Sequence, residues 1–93
     1  DFQIKHMGHR IELGEIETAV SSLEEISLCC CLYDERRQKI VLFIEGELEK
    51  AYINEKISHL VPEYMLPNKL ITLEQMPINA NGKIDRVKLK EHL

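Results

Sequence analysis

Apolar and polar residues alternate from Phe2 to Lys5, which predicts a short strand, and Gly8 permits a turn after which Arg10-Ile11-Glu12 returns as its partner. From Gly14 the period lengthens. Ile16, Ala19, Val20 and Leu23 fall at i, i+3, i+4 and i+7, the apolar stripe of a helix, and Glu15 and Glu17 stand where its dipole favours negative charge. Ile26–Tyr33 and Lys39–Ile44 are nearly unbroken apolar runs around a polar loop at residues 34–38, so they read as a hairpin of strands with little solvent exposure, covered by helices. Gly46 ends the second run. A helix is expected from about Glu49 to Val61, with Ile53, Ile57, Leu60 and Val61 on one face and Pro62 as its stop. Pro62-Glu63-Tyr64-Met65-Leu66-Pro67 reads as a rigid connector, and Lys69 to Glu74 alternates again as a strand suited to a sheet edge. Asn79-Ala80-Asn81-Gly82 is a turn signal, and Asp85 can cap a last helix running through Leu93 with Leu89 and Leu93 on its apolar side. The sum is an α+β domain: a small, mostly antiparallel sheet with an N-terminal hairpin, packed by about three helices.

Composition narrows the function without naming it. With 93 residues the chain is one domain at most, and 44% hydrophobic with 30% charged residues is ordinary globular composition. A net charge of −4 argues against a nucleic-acid module, which would carry a basic patch strong enough to displace counterions. No apolar run approaches the roughly 20 residues of a membrane span. Cys29, Cys30 and Cys31 are consecutive, which fits neither a disulfide framework nor the spacing of a zinc site. On a strand Cys29 and Cys31 face one side and Cys30 the other, as small apolar residues of a reducing compartment, so a cytoplasmic protein is expected. Asp1 is not a native start, and the chain reads as a piece of something longer.

No self-sufficient active site is visible: there is no nucleophile elbow, no glycine-rich phosphate loop leading into a helix, and no cluster of metal ligands. His6 and His9 read as polar surface rather than as a metal pair, and His59 and His92 as solvated helix residues. Two segments combine glycine, charge and an exposed turn. One is Asp1-Phe2-Gln3-Ile4-Lys5-His6-Met7-Gly8-His9-Arg10-Ile11-Glu12-Leu13-Gly14-Glu15-Ile16-Glu17, and the other is Pro77-Ile78-Asn79-Ala80-Asn81-Gly82-Lys83-Ile84-Asp85-Arg86. Either alone is unremarkable, since a lysine after Asn-Gly is usually a solvated turn residue.

Taken together and in this order, the two segments resemble the hinge-and-glycine motif and the closing Asn-Gly-Lys-x-Asp-Arg motif of the C-terminal subdomain of adenylate-forming enzymes, in particular the amino-acid adenylation domains of non-ribosomal peptide synthetases. Pro62-Glu63-Tyr64-Met65-Leu66-Pro67 is similar to that family's Pro-x-Tyr-Met-x-Pro connector, so the resemblance covers the whole chain. It implies that residues 1–93 form the small lid of an enzyme whose large N-terminal adenylation subdomain binds ATP with Mg2+ and a carboxylic acid. It also implies two reactions, formation of an acyl-adenylate and transfer of the acyl group to the phosphopantetheine thiol of a peptidyl or acyl carrier protein. Lys83, presented by Asn81 and Gly82, matches the lysine of the first reaction. Lys5 and Gly8 match the motif used in the second, and Asp1 matches the hinge. Glu15 and Glu17 fit the first motif but are read only as helix-start residues. No metal ligand, nucleic acid or membrane is implied for this segment.

The acid activated is not legible, because the selecting pocket would lie outside these residues. A D-alanine–carrier protein ligase or an acyl-CoA synthetase would have a similar lid. A stand-alone module that binds a carrier protein is the alternative of a different class.

Overall fold

The computed structural model describes residues 2–93; the hinge expected at Asp1 lies outside the described residues. Strands β1 (Gln3–His6) and β2 (His9–Glu12) pair antiparallel, with Ile4 opposite Ile11 and His6 opposite His9. Only Met7 and Gly8 join them, at φ 52 and 83. Positive φ at both central positions is the signature of a two-residue type I′ turn, whose twist matches that of the strands. The pleat turns Ile11 and His6 inward and leaves Lys5 and Arg10 exposed.

Helix α1 (Leu13–Ser21) follows β2 without a loop, and the Leu13 N–H donates to the Phe2 carbonyl at 2.9 Å. Its expected stripe is buried: Ile16, Ala19 and Val20 lie in the core, with Leu23 packed against it. Strands β3 (Cys29–Asp34) and β4 (Lys39–Glu45) pair antiparallel, and β5 (Lys69–Leu73) lies parallel on the other side of β4. Antiparallel pairing therefore predominates, with one parallel edge. Parallel neighbours need a crossover of a dozen or more residues. Here the crossover contains α2 (Lys50–Ile57) and the connector.

Both faces of this sheet are covered, which explains the unbroken apolar runs. On one face Cys29, Cys31, Ile40, Leu42 and Ile44 pack with Ile16 and Val20 of α1 and with Ile53 and Ile57 of α2. On the other, Cys30, Leu32, Val41 and Phe43 pack with Met76 and Leu89. Leu89 belongs to α3 (Arg86–Lys90), capped by Asp85, whose Oδ1 accepts from the Lys88 N–H at 3.1 Å. The expected alternation of the three cysteines is what the strand shows.

Several boundaries moved. Regular β3 begins at Cys29 rather than Ile26, because the Ile26 N–H closes a turn onto the Leu23 carbonyl. α2 ends at Ile57, and the Leu60 N–H bonds the Ile57 carbonyl at 2.8 Å, tightening the chain ahead of Pro62. A proline disfavours helical geometry in the residue before it, so the helix cannot run on to Val61, and Leu60 is left 58% exposed instead of joining the apolar face. The connector contains one short 3-10 turn, Glu63–Met65, which buries Met65. α3 stops at Lys90, with Leu93 beyond it packed against the second cluster.

Candidate functional site

Lys83 sits on a small hairpin built by its neighbours. Ile78 and Ile84 form an isolated antiparallel bridge, and the Asp85 N–H donates to the Pro77 carbonyl at 2.8 Å. Within the turn the Asn79 N–H donates to the Lys83 carbonyl at 2.7 Å, and the Gly82 N–H to the Asn79 carbonyl at 3.0 Å. The Asn79 side chain completes the loop, its Oδ1 accepting from the Asn81 N–H at 2.9 Å and the Lys83 N–H at 3.1 Å. Such side-chain mimicry of a backbone turn is the use to which asparagine is suited. Gly82 has φ 81, which a side chain would make costly. The backbone under Lys83 is thus tightly determined, whereas its exposed ammonium has no ion-pair or hydrogen-bond partner among the described residues.

Lys5, on β1, and Gly8, on the turn, lie together on the other hairpin, in a depression shared with Gln3, Ile4 and Arg10. Lys5 stands directly opposite Arg10, so two cations meet on the outer face of the hairpin near the turn, with Glu12 on the same face at its far end. Gly8 at φ 83 meets the demand for a left-handed residue, and a Cβ added to it would touch nothing within 4 Å. Its need for glycine within this chain is therefore conformational rather than steric.

The histidines of this hairpin correct the expectation of plain polar surface. His6 is 6% exposed, and its Nδ1 hydrogen-bonds the Tyr33 hydroxyl at 2.9 Å, because the pleat puts it on the same side as Ile4. His9 is exposed yet stacks on Tyr64 of the connector, with centroids 3.7 Å apart and planes within 8°. His92 is also exposed but rests edge-on to Phe43, with ring centroids 6.3 Å apart. Among the described residues no three His, Cys, Asp or Glu side chains gather to hold a metal ion.

The residue that pattern reading undervalued is Glu17. Its carboxylate takes both arms of the Arg86 guanidinium, Oε2 to Nη1 at 2.9 Å and Oε1 to Nη2 at 3.1 Å, and also accepts the Cys31 N–H at 2.7 Å. The same guanidinium lies over the Phe2 ring, 4.4 Å from its centroid, and Nη1 donates to Cys30 Sγ at 3.0 Å. A signal was available. Glu17 is three residues before the buried Val20, at the border of the apolar stripe, where a carboxylate needs a cation.

The thiols offer no nucleophile. Burial pushes the Cys30 thiol up to about 12, although the nearby Arg86 charge works in the other direction, and burial likewise raises Cys29 and Cys31. An open depression between α1 and Leu60–Pro62 carries Glu12 and Glu15 but neither of the two lysines. Among the described residues no helix is long and apolar enough to cross a membrane.

No family model matches the chain. In sequence it is 39% identical over 94 residues to tyrocidine synthase 3 of Brevibacillus parabrevis, a match covering 96% of this chain and 1% of that protein. It is 36% identical over 104 residues to the D-alanine–D-alanyl carrier protein ligase of Bacillus licheniformis, covering 100% of this chain and 21% of that protein. In structure it superposes on Klebsiella oxytoca NpsA, solved with 3-hydroxyanthranilyl-AMSN, with a TM-score of 0.90 and 25% identity, covering 98% of this chain and 19% of that one. The chain thus spans about a fifth or less of each of these relatives.

Proposed function

We propose that this chain, a homologue of the adenylate-forming ligases, is the mobile lid of such an enzyme, with residues 1–93 forming the small subdomain and Asp1 its hinge. The full enzyme would use ATP to activate an amino acid or another carboxylic acid and pass it to a phosphopantetheine-bearing carrier protein. In the first reaction the acid's carboxylate attacks the α-phosphorus of ATP, forming the acyl-adenylate and releasing pyrophosphate. Two anions must meet, and negative charge spreads over the phosphate oxygens in the transition state. The Lys83 ammonium is a compact charge on a long stem, suited to bridge carboxylate and phosphate in a closed, dry site. In the second reaction the lid rotates and brings forward the hairpin bearing Lys5 and Gly8. The pantetheine thiol then attacks the acyl carbonyl, loses its proton, and AMP leaves. Bare backbone at Gly8 allows the arm to pass close. Mg2+ accompanying ATP would be held by the phosphates and the large subdomain.

The observation that carries this reading is the contrast at Lys83: a backbone fixed by Asn79 beneath a side chain with no partner among the described residues. A charge held out and left uncommitted is available to a substrate that arrives with another domain. The test is Lys83→Ala in the full-length enzyme. Amino-acid-dependent pyrophosphate exchange should fall by about 10²–10³-fold, the effect of removing one preorganised charge donor. Thioester formation from preformed adenylate should be largely spared, and unchanged exchange would sink the assignment.

A further inference from the structure

We infer that Arg86 is a positioning residue for Lys83, fixing the lysine turn to the hinge-side end of the lid through a clasp with Glu17 and Phe2; this rests on the lid reading above. The motif residues stand 69 apart in sequence, yet the guanidinium makes a bidentate pair with Glu17 at 2.9 and 3.1 Å. The two side chains are 28% and 19% exposed, so water screens the pair only in part. Glu17 is itself oriented by the Cys31 N–H on β3, the edge strand of the sheet. The other face of the guanidinium covers Phe2, the residue leading into β1. Arg86 therefore fastens three things at once: the start of α3, the core sheet through Glu17, and the chain just before the first hairpin.

The Lys83 turn depends on this more than the Gly8 turn does. The Gly8 hairpin has two aromatic tethers of its own, His6 to Tyr33 and His9 to Tyr64. The hydrogen bonds inside the lysine turn hold its shape but do not fix it to the rest of the lid. Its attachments lie at its base. On one side Met76 is buried and its N–H donates to the Glu45 carboxylate at 2.6 Å, and on the other Ile84 packs partly buried against the same cluster and Arg86 follows three residues after Lys83. If the clasp loosens, the turn keeps its shape and loses its aim.

A double-mutant cycle on the full-length enzyme separates aim from general support. Arg86→Gln should slow adenylation by about 10- to 100-fold at saturating ATP and amino acid, with KM values changed by less than about threefold, because an interaction confined to the transition state is misplaced. In a Lys83→Ala background the same substitution should cost less than about twofold, since nothing remains to be aimed. Transfer from preformed adenylate should stay within about twofold, because the first hairpin keeps its tethers. Arg86→Lys, which keeps the charge but loses the fork and much of the stacking, should lie between wild type and Arg86→Gln, and it carries the same cycle if the glutamine variant does not fold. Equal losses with and without Lys83, or equal losses in both reactions, would reduce Arg86 to a fold support and overturn the inference. So would an Arg86→Gln enzyme of normal rate. If Lys83→Ala alone left adenylation intact, the lid reading itself would fall instead, so the two failures are distinguishable.

Discussion

The two turns that carry the candidate residues are held by opposite strategies. The Met7–Gly8 turn is as short as a hairpin allows, has both central residues at positive φ, and is tethered through side chains on its flanking strands to Tyr33 and Tyr64. The Asn79–Lys83 turn is longer, held internally by one asparagine that imitates backbone, and anchored to the body at its base. The first offers a bare stretch of main chain beside two cations, whereas the second offers a single charge. A site that must admit a long flexible arm needs an exposed backbone that does not move. A site that must meet developing charge needs one group with a fixed origin and a free end.

After Lys83→Ala, substitutions at the first turn give the next largest effect and test whether its bare backbone matters. Gly8→Val should reduce carrier-protein acylation by on the order of 10²-fold while leaving pyrophosphate exchange within a few-fold, since it joins backbone strain to bulk. Gly8→Asn sharpens this, because asparagine tolerates the left-handed region. It should fold nearly as well as wild type yet transfer poorly, and normal transfer by that variant would mean that the glycine serves the turn alone.

At the second turn Asn79→Ala removes the acceptor of two backbone hydrogen bonds. Adenylation should slow by about 3- to 10-fold, corresponding to roughly one lost hydrogen bond, and transfer should not change. An equal fall in both half-reactions would erase the distinction between the turns.

Smaller still is Met7→Gly, which relieves a non-glycine residue at φ 52. Urea unfolding should show a gain of about 1 kcal/mol. The turn tip would then be limited by conformation and not by packing, as the 74% exposure of Met7 suggests.

Ionisation of the three thiols should affect both turns alike, and only at alkaline pH. Burial raises the three thiols above the ordinary 9.0, with Cys30 at about 12. The folded state therefore holds protons that the unfolded chain gives up, so this stabilisation is complete below pH 9 and drains away as pH climbs toward 12. The urea midpoint measured against pH should fall across that window and stay flat with respect to these groups between pH 7 and 8. Cys30→Ala should make the alkaline fall shallower.

Much of this architecture was legible in the order of residues, because burial on one or both faces leaves a period. The stripe of Ile16, Ala19 and Val20, the two-sided strands, the Asn-Gly turn and the Asp85 cap all appear where pattern puts them. What escaped was set by tertiary partners. Parallel pairing of β5 cannot be read from its own residues, since an edge strand alternates in the same way in either direction. His6 looked polar because its type is ambiguous until the pleat assigns its side. Leu60 looked apolar and inward until Pro62 shortened the helix. Lys83 and Gly8 were visible as motif residues, while the Glu17–Arg86 clasp needed three dimensions, as 69 residues separate its members.

The buried cysteine triplet has a practical corollary. Its thiols are sealed in the sheet and shifted away from ionisation, so under neutral conditions the chain carries no ready target for maleimide chemistry. A thiol introduced at Met7 or at Val87, each 74% exposed, would be the one in this chain that takes a fluorophore. Paired with a second dye on the large subdomain proposed above, it would test whether the chain takes two orientations during turnover, read as two distances, without first stripping native cysteines from its core.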